Sequence, residues 1–306
     1  MADPSDTAPH ILLVDPAHFD VHYTINPWMQ PQRWHAEAGA LGRRARAGFD
    51  ALVDTLERIG CRVSVMPGAP GLPDMVFPAN AAVVLDGRAL LARFRHAERQ
   101  GEEAHFAELF ERLRADGLLR EVGRLPPGCV QEGAGDCIWD ATRGQFWAGW
   151  GPRSSRIAAD RLAAFFGQPV VPLELVTDRA YHLDVCFAPL CGGEVLWYPP
   201  ALSMESRARV IAQVGADRLI AANEDELARF NVNAVNVGRD IVMSPCAPRL
   251  RTLLEGRGYR VHEVDVTPFM LAGGGAFCMT LRLDRQSPAA AGIAPASQEK
   301  HHGPDH

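Results

Sequence analysis

The 306-residue sequence has no Cys-x-x-Cys pair, no long uncharged apolar run and no excess of basic charge. Its seven cysteines, at positions 61, 129, 137, 186, 191, 246 and 278, are an odd and irregularly spaced set. That pattern excludes a regular disulfide framework and argues against a thiolate zinc site. No window offers the roughly 18 apolar residues that a transmembrane helix needs. Residues 1–10 carry two Asp but neither a basic cluster nor an apolar stretch, so no secretory leader is expected there and the cytoplasm is the expected compartment. Lys and Arg number 31 against 37 Asp and Glu, a net charge of −6. Binding to a phosphate backbone depends on clustered cations that release counterions, so neither nucleic acid nor an anionic membrane is an expected partner.

What is present is an ordinary globular composition, 47 % hydrophobic and 22 % charged. At about 150 residues per domain the length alone suggests two domains. Internal repetition argues otherwise. Five stretches start at Asn80, Glu132, His182, Asn231 and Cys278, at intervals of 52, 50, 49 and 47 residues. In the first four, a turn containing glycine (Asp86-Gly87, Arg143-Gly144, Gly192-Gly193, Gly238-Arg239) joins two apolar runs, the signature of a hairpin. Helical patterns over 155–166, 204–214 and 248–257 follow, each leading into another apolar run. Ahead of these stretches, the sequence reads as a strand over 11–14, a helix over 35–60 with Leu41, Ala45, Phe49, Leu52 and Leu56 on one face, and a strand over 62–66. A unit of strand, strand, helix, strand cannot bury its own apolar face, so such units assemble around a shared axis. The expected architecture is therefore α/β, five ββαβ modules around one axis in a single domain, 11–284. Residues 1–10 are expected to form an extension and 285–306 a disordered tail.

If the repeats surround an axis, their starting residues converge at one end of it. Cys278 supplies a nucleophile once ionised. His182 supplies a proton carrier, and Glu132 or Asp136 an acid to orient it. The glycines of Gly273-Gly274-Gly275 permit close backbone approach to a ligand. The turn Glu132-Gly-Ala-Gly-Asp136 lacks the spacing and the lysine of a phosphate loop, and its two acids suit a cation. One His with scattered acids is a weak metal-ligand set.

The segments Asp74-Met-Val-Phe-Pro-Ala-Asn80, Glu132-Gly-Ala-Gly-Asp136, Tyr181-His182-Leu-Asp184 and Gly273-Gly-Gly-Ala-Phe-Cys278 carry a resemblance over roughly residues 11–283. The sequence resembles the guanidino-group-modifying members of the pentein superfamily, which includes arginine deiminases, dimethylarginine dimethylaminohydrolases, amidinotransferases and arginine dihydrolases. The resemblance implies a five-fold pseudo-symmetric propeller and a catalytic set of Cys278, His182 and Glu132, with no metal or organic cofactor. It implies that Asp74, Asn80, Asn26 and Asp136 contact substrate, and that Arg99 and Arg153 take its carboxylate. Asn80 stands where the family's guanidino hydrolases usually carry Asp. With Asn26, in Tyr23-Thr-Ile-Asn26-Pro-Trp-Met29, it resembles the arginine dihydrolase branch, which takes arginine to ornithine, carbon dioxide and two ammonia. The small-molecule partner implied is arginine or a derivative; citrulline-forming hydrolysis, amidinotransfer, a non-catalytic binding role and homo-oligomer assembly stay open.

Overall fold

Hairpin, helix and returning strand recur around a closed ring of five three-stranded sheets. The computed structural model describes residues 8–290. Strands β1 (His10–Val14) and β2 (Arg62–Met66) belong to the sheet that closes the ring. Then come β3 (Ala82–Leu85), β4 (Arg88–Leu91) and β5 (Glu121–Arg124), followed by β6 (Cys137–Asp140), β7 (Gln145–Trp150) and β8 (Val170–Glu174). The fourth module holds β9 (Phe187–Pro189), β10 (Val195–Trp197) and β11 (Leu219–Ala221). The fifth holds β12 (Val235–Val237), β13 (Asp240–Met243) and β14 (Arg260–Glu263), and β15 (Leu281–Arg282) returns to β1.

Each sheet has the same connection logic. Its first two strands pair antiparallel and the second and third pair parallel. A parallel pair needs a crossover, supplied by the helices Ala38–Arg58, Glu102–Ala115, Ala158–Phe166, Met204–Val214 and Pro248–Glu255. Asp86 and Gly87 both have positive φ, 54° and 67°, as the tight turn between β3 and β4 requires. The helix Ala38–Arg58 buries Leu41, Ala45, Phe49, Leu52 and Leu56, a stripe with helical spacing.

The first strands of the modules line the axis. Val83, Ile138, Val235 and Leu281 border one axial cavity and Phe187 borders its neighbour. Before β3, β6 and β9 the chain makes a single 3-10 turn, Pro78–Asn80, Gly133–Gly135 and Leu183–Val185. These turns gather at one end of the axis.

Several expectations are adjusted. The helix expected over 35–60 is interrupted at Glu37, and a short separate helix, Pro31–Ala36, precedes it. The charged helix Glu102–Ala115 is an additional crossover, although Phe106, Leu109 and Phe110 already mark its buried face. The expected start of a disordered tail at Arg285 falls too early. Arg285 O accepts from Asp86 N at 2.8 Å, and buried Ser287 donates its backbone N–H to Asp86 at 2.7 Å. The rest of that tail, with its three histidines, and residues 1–7 of the expected extension lie outside the described residues.

Candidate active site

The turns before the inner strands deliver polar side chains into an otherwise apolar interior. Glu132 and His182 occupy the same position, the residue preceding their 3-10 turns, and so face each other across neighbouring modules. His182 Nε2 lies 2.8 Å from Glu132 Oε2 and 4.0 Å from Asp136 Oδ2. Glu132 is thus the acid that meets the imidazole. Asp136, expected at substrate, has both oxygens engaged within the protein: Ser154 Oγ donates to one at 2.6 Å and the backbone N–H of Leu183 to the other at 2.9 Å. It anchors the residue next to His182 instead.

Burial would raise the pKa of Glu132, but the hydrogen bond from His182 and the charge of Arg153 outweigh it and hold the carboxyl well below its usual range. Burial pulls His182 down to about 4 against the opposing pull of Glu132. An ionised Glu132 can only accept, so a neutral His182 carries its proton on Nε2. Its Nδ1 is buried without a partner, a free lone pair available as a base.

Cys278 sits at the end of the glycine run, 2 % exposed. Its Sγ is 3.2 Å from Asp184 Oδ2 and accepts from Asn233 Nδ2 at 3.1 Å, while its backbone N–H donates to Asn233 Oδ1 at 3.2 Å. Burial, reinforced by the Asp184 carboxylate, pushes the thiol pKa well above its ordinary value. The same burial lifts Asp184 to about 7, opposed by the hydrogen bonds from Cys278 and Asn233. Asp184 and Asn233 were not among the expected site residues. A signal for both existed: Asp184 follows His182 by two positions, and Asn233, like Asn80, precedes its strand by two. Asn231, the residue marked by the repeat interval, instead bonds Ser244 and the backbone around Pro245 and Ala247.

Asn80 donates from Nδ2 to the Glu132 carbonyl at 3.1 Å and accepts at Oδ1 from Arg99 at 2.8 Å. It shares a corner with Asp184, since a Cβ on Gly135 would stand 2.3 Å from Asn80 Nδ2 and 3.6 Å from Asp184 Oδ2. Arg99 is held by Glu102 through two bonds of 2.8 and 2.9 Å and lies 3.9 Å from Asp74. Arg153 donates to Glu132 at 2.9 Å and to the Ile25 carbonyl at 3.0 Å. Both arginines, expected as a fork for a substrate carboxylate, are therefore already paired, and either must exchange a partner to take that role. Asn26 accepts from Trp28 N and donates to the Ala272 carbonyl, both at 3.0 Å, fixing residues 23–30 across the site.

The glycine run departs from its expected use. At Gly273, with φ +95°, a Cβ would meet the Asn26 side chain at 2.7 Å and Tyr181 Oη at 2.8 Å; at Gly275 it would meet Asn233 Oδ1 at 2.7 Å. The close approach is made to the protein's own side chains.

Five carboxyl groups, Asp74, Glu102, Glu132, Asp136 and Asp184, are thus buried in this region with two guanidinium groups, Arg99 and Arg153. Tyr23 Oη, Asp74 Oδ1, His182 Nδ1 and Asp184 Oδ1 are buried with no hydrogen-bond partner among the described residues. An acid surplus with unused acceptors, beside a thiol and an imidazole, is a receptacle for a cation rich in N–H donors. No group of three or more His, Cys, Asp or Glu among the described residues is arranged to hold a metal ion.

A family model described as N,N dimethylarginine dimethylhydrolase, eukaryotic, matches residues 15–285. The chain is 38 % identical over 273 residues to the bifunctional arginine dihydrolase/ornithine cyclodeaminase ArgZ of Synechocystis, an alignment covering 89 % of this chain and 37 % of that protein. It is 33 % identical to the dimethylarginine dimethylaminohydrolase of Mycobacterium tuberculosis, covering 89 % and 84 %. The crystal structure of the N-terminal domain of ArgZ bound to product superposes with a TM-score of 0.83 at 37 % identity, covering 91 % of this chain and 98 % of that one. The chain thus spans little more than a third of the full length of ArgZ.

Proposed function

Because this chain belongs to the dimethylarginine dimethylaminohydrolase family, whose members are hydrolases acting on guanidino groups, we propose that it is an arginine dihydrolase, converting L-arginine and two waters to ornithine, two ammonia and carbon dioxide. The observation that carries this reading is the amide of Asn80, in the corner beside Asp184, at a site otherwise dominated by carboxylates. The likeness to the cyanobacterial arginine dihydrolase supports it.

The guanidinium enters beside Asp184, satisfies its unused oxygen and keeps it ionised. A cation at that point also favours the Cys278 thiolate, because the positive charge offsets both burial and the carboxylate that hold the thiol protonated. The thiol proton passes to His182 Nδ1. The thiolate attacks the guanidino carbon, the S–C bond forms, and the C–N bond to a terminal nitrogen breaks as His182 returns the proton to the departing ammonia. Water, giving its proton to His182, then cleaves the thiouronium to leave a ureido group. Glu132, ionised and hydrogen-bonded at Nε2, stabilises the imidazolium at each transfer.

A ureido product is neutral. A ring of carboxylates holds it poorly, whereas an amide both donates and accepts. Asp184, with its pKa near 7, can take up a proton and donate to the ureido oxygen. A second thiolate attack expels the second ammonia, water releases the resulting carbamate, and loss of carbon dioxide leaves ornithine.

The deciding assay is incubation with L-arginine, counting ammonia and identifying the amino acid. The expected result is two ammonia per ornithine; one ammonia with citrulline sinks the dihydrolase reading. Asn80→Asp is expected to shift the product toward citrulline. The family relationship gives dimethylarginine a place as the second substrate to try: dimethylamine release, with arginine inert, would assign that activity instead.

A further inference from the structure

The axis of the propeller contains a second polar site that the chemistry at Cys278 does not use. A cavity of about 170 Å³ is lined by Asp184 together with Trp139, Asp140, Asn236, Arg282 and Arg285. Most polar groups of its wall are already satisfied. Asp140 is bound by Arg143 at 2.7 Å and by Trp147 Nε1 at 3.0 Å. Arg282 is paired with Asp284 at 2.5 and 3.1 Å. The amide of Asn236 accepts from Cys191 N and donates to the carbonyls of Gly238 and Asp240.

Two donors remain. Arg285 makes no side-chain hydrogen bond or ion pair among the described residues, and Trp139 Nε1 is buried with no acceptor. Arg285 is half-buried, and burial with the neighbouring Arg282 lowers its pKa to about 10, so the guanidinium stays charged at neutral pH. With Arg282 neutralised by Asp284 and Asp140 by Arg143, Arg285 is, among the described residues, the lining cation without a partner. Asp184, in the same lining, is engaged with Cys278.

We propose that this axial cavity binds a small oxyanion of the phosphate class, held by the Arg285 fork and the Trp139 N–H. Both groups donate only, so the complementary ligand is one that accepts only. A planar guanidinium presents parallel N–H groups to two oxygens of one anion. At roughly 30 Å³ per water the cavity has room for about five waters, enough for a tetrahedral oxyanion with residual solvent. Water alone would satisfy the indole but leave the charge uncompensated. This site is independent of which guanidino compound reacts at Cys278.

The test is thermal unfolding of the full chain at pH 7 with inorganic phosphate titrated against chloride at constant ionic strength. A saturable rise in Tm is expected for the wild type. Arg285→Gln should weaken the apparent phosphate Kd roughly tenfold or more, the loss of a charge-assisted bond. Trp139→Phe keeps an aromatic ring and removes the N–H, and should weaken it less; this variant carries the test if Arg285→Gln fails to fold. The proposal is overturned by the absence of a saturable rise in the wild type, or by unchanged phosphate affinity in the folded variants.

Discussion

Cys278 sits in a setting that suppresses its reactivity until a cation arrives. Burial and Asp184 raise its pKa well above the ordinary thiol value, so at pH 7 iodoacetamide should modify Cys278 more slowly than exposed Cys191. Peptide mapping by mass spectrometry reads both sites in one sample. Asp184→Asn removes the carboxylate from beside the sulfur and should speed modification at Cys278 while leaving Cys191 unchanged. The same substitution has a pH signature in stability. Folded Asp184 keeps its proton up to about pH 7, whereas in an unfolded chain it loses it near 4. Between those limits the native state holds more protons, so this residue costs stability progressively as pH rises from 4 to 7. Melting curves of Asp184→Asn relative to wild type should therefore improve from pH 5 to pH 8, by an amount on the order of a few kcal/mol. A constant difference across that range would show that Asp184 is ionised throughout.

At the level of elements, the segments that hold the site are short turns wedged against one another. Gly273 combines positive φ with contact to Asn26 and Tyr181, and Tyr181 Oη donates to its carbonyl at 2.5 Å. Gly273→Ala is expected to cost about 1–2 kcal/mol in backbone strain alone and to lower kcat by displacing the run of turns that leads to Cys278, measurable by urea unfolding and steady-state turnover. The regular elements were legible because their signals are local. The strand over 62–66 and the helix over 204–214 follow directly from apolar spacing and bounding turns. The 3-10 turns were less legible, because the repeat was counted from polar residues and those stand at unequal offsets. Glu132 and His182 precede their strands by five positions, Asn80 by two and Cys278 by three. Counting from the strands themselves brings Asn233 into the series and takes Asn231 out. Which of Glu132 and Asp136 meets His182 was beyond the sequence, since three intervening residues place both near the ring and only the path of the Leu183 backbone separates them.

For the whole molecule, the axis organises both fold and charge. The site collects five buried carboxyl groups, while Arg282 and Arg285 line a neighbouring axial cavity, a division of charge no single module possesses. The ring depends on its last joint. β15 pairs with β1 through Leu281 and Leu12, both buried. Leu281→Asp would place an unpaired carboxylate in that joint and should cost more than about 3 kcal/mol, seen as a lowered urea midpoint or loss of the cooperative transition. The joint also sets the order of events during synthesis. β1 leaves the ribosome well before β15, and Cys278 emerges only three residues before the strand that completes the ring. Four modules can form while the nucleophile is still unmade. A nascent chain can therefore bring its acids and its histidine together before it receives the sulfur that the site is built around.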